Sequence, residues 1–286
     1  MKAIRDFLEL IKFEHTIFAL PFAFLGMLLA ARGWPTWTQF ILISVAMAAA
    51  RTLAMAINRL ADRHQDALNP RTLRRPLVTG AISTRTAVIG TAIAGVILVG
   101  AAWALGPLPL ALLPAAGLFL VGYSYTKRFT WLSHFFLGAT DGLAPVGAWV
   151  AVRGSLFTRA DAPAWLLLLT VTLWIGGFDL IYACQDVTFD RSQRLHSIPA
   201  RFGIPTALRL SVVCHVLTVL VLAALAATLS LHWPFWLAIG ASAGLFIWEH
   251  RLVKPDDLSQ LNVAFFNMNS YISLALLAGM VGSILV

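Results

Sequence analysis

Two polar segments of the chain carry side chains that could bind a cation. The first contains Asn58, Asp62 and Asp66, and the second contains Asp186 and Asp190, and successive members of each set are four positions apart. Two carboxylates about 5 Å apart repel by about 3 kcal/mol at an effective dielectric of 20, so a neutralising ion favours their assembly. Mg²⁺ takes oxygen ligands and binds through one or two carboxylates together with substrate phosphates. The segments therefore favour a site for Mg²⁺ and a diphosphate over solvated loop acids.

A continuous helix would place the polar residues of each segment on one face. With 100° between successive residues, Asn58, Asp62 and Asp66 span an arc of about 80°. The same holds for the polar residues of the second segment, which are Asp179, Tyr182, Asp186 and Asp190. Pro70 cannot continue a helix and disfavours helical geometry at the residue before it. We therefore expect the first helix to end near Asn69, and the matched spacing predicts two facing acidic clusters.

The helices that position these segments lie in a membrane. Of the 286 residues, 59% are hydrophobic and 12% are charged, against about 25% charged in soluble domains. Because about 20 apolar residues cross a bilayer, we predict an all-α, polytopic membrane protein that forms a single domain over residues 1–286. The nine predicted spans are 16–31, 37–57, 86–105, 108–123, 131–152, 164–183, 206–229, 233–248 and 263–286.

The net charge of +8 follows the predicted topology. With the N-terminus in the cytoplasm, 17 of the 21 Lys and Arg residues lie on or near the cytoplasmic side, three lie outside and Arg51 lies within a span. This asymmetry is typical of membrane proteins, so the basicity does not imply nucleic acid. We expect an integral protein of the bacterial inner (plasma) membrane, with both acidic segments in the cytoplasm.

Several other residues have two interpretations. The basic residues Arg71, Lys127 and Arg128 either contact phosphate or serve topology and lipid headgroups. Because charges within spans are costly, Arg51 either binds an acceptor carboxylate or pairs internally. His15 is either an interfacial residue or an acceptor ligand.

We predict no chemistry for the two cysteines or for the ionisable residues near the C-terminus. Cys184 and Cys214 are expected to be small, partly buried residues. The ionisable residues near the C-terminus are expected in a solvated loop, and they are Glu249, His250, Asp256 and Asp257.

The two segments resemble the signatures of the UbiA superfamily. Residues 58–76 resemble its first signature, N-x-x-x-D-x-x-x-D followed by R-T and R-P, and residues 179–203 resemble its second. Residues 123–128 resemble its Y-x-x-x-K-R element, while Arg194 stands where the family often has Gly. The match covers nearly the whole chain, and it is strongest to the 4-hydroxybenzoate polyprenyltransferase-like group.

This resemblance implies a UbiA-type bundle of about nine helices with a central cavity opening to the cytoplasmic side. It implies a Mg²⁺-dependent transfer of a polyprenyl group from polyprenyl diphosphate to an aromatic acceptor, in ubiquinone or menaquinone biosynthesis. Asp179 and Tyr182 would lie near the reacting centre, and Arg71, Lys127, Arg128 and Asn58 would meet the diphosphate. The implied metal ligands are Asn58, Asp62, Asp66, Asp186 and Asp190.

The acceptor and one other class of function stay open. 4-Hydroxybenzoate is favoured, but residues 13–16 lack the R-x-D-K-P-like sequence of the best-known enzymes for it, which leaves 1,4-dihydroxy-6-naphthoate as an alternative. Haem, chlorophyllide and a lipid glycerol phosphate are acceptors of other family branches. A secondary transporter would place its ionisable residues near the membrane midplane, whereas here only Arg51 and Asp141 lie deep.

Overall fold

A computed structural model describes residues 2–261 and 263–286, without the side chains of residues 2–4, 13–19, 265 and 266. Within these ranges the chain is helical, apart from turns and one isolated bridge between Lys254 and Asp257. Long helices suit a bilayer because each satisfies its own backbone hydrogen bonds. The chain divides into two compact units, Met1–Leu20 with Thr36–Tyr125 and Pro21–Pro35 with Thr126–Val286.

The first unit carries the first acidic segment. Its longest helix begins at a capping box, in which Thr36 and Gln39 bond each other's backbone N–H groups and so satisfy donors that the first turn leaves open. This helix packs against the helix that follows the acidic segment, with Ala54 and Leu98 in a shared apolar cluster. The helices of this unit are α1 (Lys2–Leu10), the start of α2 (Phe13–Ala31), α3 (Trp37–Ala61), α4 (Arg63–Leu68), α5 (Pro76–Thr79), α6 (Thr84–Leu105) and α7 (Pro107–Thr126).

The second unit carries the second acidic segment. Its helices after the remainder of α2 are α8 (Ser133–Arg153), α9 (Ala162–Ala183), α10 (Val187–Ser192), α11 (Ile198–Phe202), α12 (Ile204–Thr228), α13 (Trp233–Leu252) and α14 (Asn269–Leu285). A short 3₁₀ helix, Arg159–Asp161, precedes α9, and a π-helix, Val263–Met268, precedes α14. Helix α9 packs on both α8 and α12, so it forms the centre of this unit.

Two glycines bring the backbones of α8 and α9 close together. A Cβ atom at Gly138 would lie 2.4 Å from the carbonyl oxygen of Thr172, and one at Gly142 would lie 2.8 Å from a methyl carbon of Leu168. Their spacing is the G-x-x-x-G pattern by which membrane helices approach closely. This packing fixes the side chains that α8 presents to α9.

The prediction of an all-α protein with several membrane-spanning helices is confirmed. Each of the nine predicted spans coincides with a helix, and six helices of the described residues are long and apolar enough to cross a membrane. Two shorter apolar helices cover 20–31 and 269–285. The count of nine and the cavity opening to the cytoplasm stay predictions.

One prediction about the ionisable residues near the C-terminus is wrong. Glu249 and His250 were predicted in a solvated loop, but both lie in α13. Glu249 is fully buried, and His250 is half-buried, with its Nε2 2.9 Å from Nδ1 of His215. The physical reason is that α13 continues to Leu252, beyond the apolar run that ends at Trp248. Asp256 and Asp257 are exposed, as expected. Cys184 and Cys214 are free and buried, which agrees with the sequence.

Candidate active site

The first acidic segment contains a helix junction. Helix α3 ends at Ala61, and Asp62 adopts φ −94° and ψ 7° before α4 begins at Arg63. This backbone lies in the sparsely allowed bridge region. The side-chain amide of Asn58 donates to Oδ2 of Asp62 at 3.0 Å. The predicted continuous face therefore holds from Asn58 to Asp62 but not to Asp66, because a new helix starts between them.

The end of the first segment follows the prediction. Helix α4 ends at Leu68, and Asn69 is extended at φ −95° and ψ 117°, as the residue before Pro70 should be. The side chain of Asn69 accepts the backbone N–H of Arg71 at 3.0 Å. Arg71 is exposed, so its guanidinium is accessible from solvent.

Asp66 forms an ion pair within its own segment. Nη1 of Arg75 lies 2.5 Å and 2.6 Å from the two carboxylate oxygens of Asp66. The side chain of Asp66 is 9% exposed and that of Arg75 is 22% exposed. Thr72 donates to the backbone carbonyl of Asp66 at 2.8 Å, so the loop after α4 folds back onto this aspartate. A cation of the chain therefore already compensates this carboxylate.

The second segment repeats the backbone of the first. Helix α9 ends at Ala183, a 3₁₀ turn covers Cys184–Asp186, and Asp186 adopts φ −98° and ψ 4° before α10 begins. Like α4, α10 has six residues, and its fourth residue is the second aspartate of the segment, Asp190. Asp186 and Asp190 are both buried. The matched residue spacing of the two segments thus extends to their local backbone geometry.

Asp190 is held by the loop that follows α10. Ser197 donates through Oγ to Oδ2 of Asp190 at 2.7 Å, and the same hydroxyl caps α11 by accepting the N–H of Ala200. The backbone N–H of Leu195 bonds to the carbonyl of Asp190 at 2.8 Å. Arg194 has φ +55°, a left-handed conformation that Gly adopts without steric cost. A glycine at this position would avoid that cost.

Asp179 has a buried histidine partner. Nδ1 of His134, in the first turn of α8, lies 2.6 Å from Oδ2 of Asp179, and the His134 side chain is fully buried. Its other ring nitrogen, Nε2, accepts the backbone N–H of Ile198 at 3.3 Å. Because Nε2 accepts, Nδ1 carries the proton and donates to the carboxylate.

The other predicted site residues have varied surroundings. Tyr182 is half-buried near the end of α9, and its carbonyl accepts Gln185 at 3.0 Å. The backbone carbonyl of Lys127 accepts the N–H of His196 at 2.7 Å, which links the Y-x-x-x-K-R element to the second segment. Lys127 is half-buried and Arg128 is exposed.

The two acceptor candidates stay predictions. Arg51 lies within α3 and is half-buried, as expected for a charge inside a span. The side chain of His15 lies outside the described residues. That the two acidic segments face each other is likewise a prediction from the sequence.

The donor chemistry of the segments fits Mg²⁺. Each segment offers two carboxylates four residues apart, and Mg²⁺ binds through one or two carboxylates and completes its shell with phosphate oxygens and water. Asp62 and Asp186 occupy equivalent helix junctions, where the backbone turns away and leaves the carboxylate at a helix end. Among residues 2–261 and 263–286, no group of three or more His, Cys, Asp or Glu side chains is arranged to hold a metal ion.

Three partners of the aspartates were missed from the sequence. Arg75 and Ser197 lie within the two recognised signatures, so the sequence pointed to these positions. It did not predict that Arg75 contacts Asp66 or that Ser197 contacts Asp190. His134 lies 45 residues from Asp179, and only the packing of α8 on α9 brings the two together.

Comparison with known proteins gives a consistent family. The sequence matches the UbiA prenyltransferase family over residues 19–271. A 4-hydroxybenzoate octaprenyltransferase of Chromohalobacter salexigens is 30% identical over 281 residues, which cover 96% of this chain and 92% of that protein. One of Pseudomonas fluorescens is 32% identical over 263 residues, covering 88% of this chain and 83% of that protein.

Solved structures share the fold. A UbiA homologue from Aeropyrum pernix, in its apo form, superposes with a TM-score of 0.86 at 34% identity and covers 94% of this chain and 98% of its own. A homologue from Archaeoglobus fulgidus bound to GPP and Mg²⁺ has a TM-score of 0.67 at 19% identity, covering 98% of this chain and 100% of its own. The family match over most of the chain, together with the all-helical membrane fold, shows that this chain is a prenyltransferase of the UbiA prenyltransferase family.

Proposed function

We propose that this chain transfers a polyprenyl group from polyprenyl diphosphate to 4-hydroxybenzoate. The observation that carries this proposal is the repeated helix junction, which presents Asp62 and Asp186 in the same backbone geometry, each four residues before a buried aspartate. The curated relatives support the acceptor, since those compared above are 4-hydroxybenzoate octaprenyltransferases. The reaction is a step of quinone biosynthesis.

In the proposed reaction the allylic C–O bond breaks and its electron pair leaves with the diphosphate. A ring carbon ortho to the phenolic hydroxyl then forms the new C–C bond to the prenyl group and loses its proton to a base at the site. Mg²⁺, when bound, neutralises the charge that the diphosphate gains as it leaves. The chain's own residues bind and orient the substrates and exclude water from the allylic cation.

The proposed metal ligands are those of the two segments. Mg²⁺ would be held by Asp62, Asp66, Asp186 and Asp190. Asn58 would support Asp62 through the hydrogen bond of 3.0 Å that its amide donates to that carboxylate. Arg71, Lys127 and Arg128 would meet the diphosphate, because cationic side chains stabilise developing negative charge in a site that excludes water. These three residues and Asn58 are the proposed diphosphate ligands.

The remaining polar residues would serve the reacting end of the substrates. Asp179 and Tyr182 lie one to two turns before Asp186, on the last turns of α9, and would contact the reacting carbon or the acceptor. Arg51 is proposed to bind the acceptor carboxylate, and His15 is the other proposed acceptor-binding residue. The long isoprenoid tail would leave toward lipid.

The proposal places the protein in the bacterial inner membrane with both segments in the cytoplasm. Polyprenyl diphosphates are amphiphiles that partition to the membrane surface, so a site at the ends of spanning helices suits them. The distribution of Lys and Arg supports this orientation.

One assay tests the function and the acceptor together. Purified protein would receive Mg²⁺, a radiolabelled polyprenyl diphosphate, and 4-hydroxybenzoate beside 1,4-dihydroxy-6-naphthoate in equal amounts. We expect labelled prenyl-4-hydroxybenzoate as the main product, and no product when EDTA replaces Mg²⁺. Preferential labelling of the naphthoate would change the acceptor, whereas no labelled product with either acceptor would contradict the proposal.

A further inference from the structure

We propose that His134 is a positioning residue of the prenyl-transfer site, which holds Asp179 through one ring nitrogen and the segment after Asp190 through the other. This inference rests on the proposed function, since that function gives Asp179 and Asp190 their roles. Its geometry lies entirely within the second unit of the chain.

Helix packing explains how His134 reaches α9. His134, Gly138 and Gly142 are spaced by four residues, and therefore lie on one face of α8. The two glycines let the backbone of α9 approach, because a Cβ atom at Gly138 would lie only 2.4 Å from the carbonyl oxygen of Thr172. One turn earlier on the same face lies the fully buried imidazole of His134. It meets α9 at Asp179.

The two hydrogen bonds of His134 define one ring tautomer. Nε2 accepts the N–H of Ile198 at 3.3 Å, so the ring proton lies on Nδ1, which donates to Asp179 at 2.6 Å. A proton on Nε2 would oppose the N–H of Ile198. Because the ring is fully buried, water cannot replace either bond without repacking, so a variant that loses one bond leaves a buried polar group without its partner.

The loop that His134 anchors is the one that holds Asp190. Ile198 follows Ser197, whose hydroxyl donates to Asp190 at 2.7 Å. In the same loop the N–H of His196 is bound by the carbonyl of Lys127. Through its two ring bonds, His134 thus connects a proposed catalytic carboxylate, Asp179, with the loop that holds a proposed metal ligand, Asp190. Removing a side chain that orients a ligating or catalytic group in this way typically lowers affinity or activity by about 10-fold to 100-fold.

Two substitutions separate the two bonds. In His134→Asn the amide nitrogen takes the place of Nδ1 and can donate to Asp179, but nothing replaces Nε2. In His134→Gln the amide oxygen takes the place of Nε2 and can accept from Ile198, but the donor to Asp179 is lost. The pair has similar size and polarity, so each variant is the matched control of the other.

The kinetic test is a split between kcat and KM. We expect His134→Gln to lower kcat by about 10-fold to 100-fold with little change in the KM for polyprenyl diphosphate, because a misplaced reacting group costs rate. We expect His134→Asn to raise that KM by about tenfold with a smaller effect on kcat, because the Asp190 loop loses an anchor. His232→Gln, at an exposed histidine before α13, should match wild type.

A second readout does not depend on turnover. Hydrogen exchange of a peptide containing Ile198 should be faster in His134→Asn than in wild type, and unchanged in His134→Gln. In an Asp179→Asn background, His134→Gln should add no further loss of kcat, because residues that act through one contact are not additive.

The outcomes are distinguishable. If wild type shows no prenyl transfer, the proposed function is wrong, and with it the role assigned to His134. If wild type is active but the Asn and Gln variants change kcat and KM in the same way, the positioning role is wrong while the function stands. The same conclusion follows if both variants leave hydrogen exchange at Ile198 unchanged.

Discussion

The ion pair between Asp66 and Arg75 predicts that the aspartates of the first segment differ in their effect on stability. Replacing Asp66 with Asn keeps the shape of the side chain but removes the charge that faces Arg75. An exposed ion pair contributes about 0–1 kcal/mol, whereas breaking a fully buried one costs about 3–5 kcal/mol. With side-chain exposures of 9% for Asp66 and 22% for Arg75, the pair lies between these limits.

We therefore expect Asp66→Asn to lower the free energy of unfolding by about 2 kcal/mol. Asp62→Asn should have a smaller effect, about 1 kcal/mol or less, because Asp62 is only half-buried and its amide replacement can still accept from Asn58. Both variants should lose turnover by about 10²-fold to 10³-fold, the usual effect of one electrostatic group in an active site. Loss of activity alone would thus not separate them.

The assay is denaturant unfolding of the purified protein in detergent, with Arg75→Gln and the double variant completing a cycle. Arg75→Gln leaves a buried carboxylate without its cation, so it should also destabilise. The double variant should be more stable than the sum of the two single losses predicts, with a coupling of about 1–2 kcal/mol. Additive losses would show that the two side chains do not interact, and equal stability of the Asp62 and Asp66 variants would refute the assigned burial.

Three further predictions test other parts of the structure. Gly138→Ala places a Cβ 2.4 Å from the Thr172 carbonyl and should destabilise by about 1–3 kcal/mol, whereas Gly147→Ala, with no atom within 4 Å, should leave thermal unfolding unchanged or slightly raised; equal effects would contradict the α8–α9 packing. Arg194→Gly should raise stability by about 1 kcal/mol by relieving the left-handed conformation. A lower unfolding midpoint would contradict this and would mean that the Arg194 side chain contributes more stability than its backbone conformation costs. A reporter fused after Val286 should lie outside the cytoplasm if the chain has nine spans, and a cytoplasmic reporter would overturn that count.

The helices and their membrane class were predictable because they follow from composition. A run of about 20 apolar residues allows few alternatives in a bilayer, and all nine predicted stretches are helical. Pro70 likewise predicted the end of the first segment, because its ring constrains Asn69 whatever the rest of the fold does. These are local properties that the sequence carries on its own.

The break at Asp62 was not predictable from the spacing. Four-residue steps are compatible with one continuous helix, and the sequence offers no proline or glycine at position 62 to interrupt it. The break depends on the loop that folds back through Thr72 and Arg75 onto Asp66. Residue spacing alone does not reveal such contacts. The burial of Glu249 was missed for another reason, because α13 continues beyond its apolar run.

The repeat of backbone geometry without a repeat of partners has a consequence for the site. Asp66 is paired with a guanidinium, and Asp190 accepts from a hydroxyl, although both occupy the fourth position of a six-residue helix. A guanidinium cancels most of the charge of a carboxylate, whereas a hydroxyl fixes its orientation and leaves the charge in place. If both segments bind Mg²⁺ as proposed, Asp190 therefore keeps more of its charge for the ion than Asp66 does, because Asp66 must share its carboxylate between Arg75 and the ion. The two aspartate pairs are alike in position but not interchangeable in chemistry.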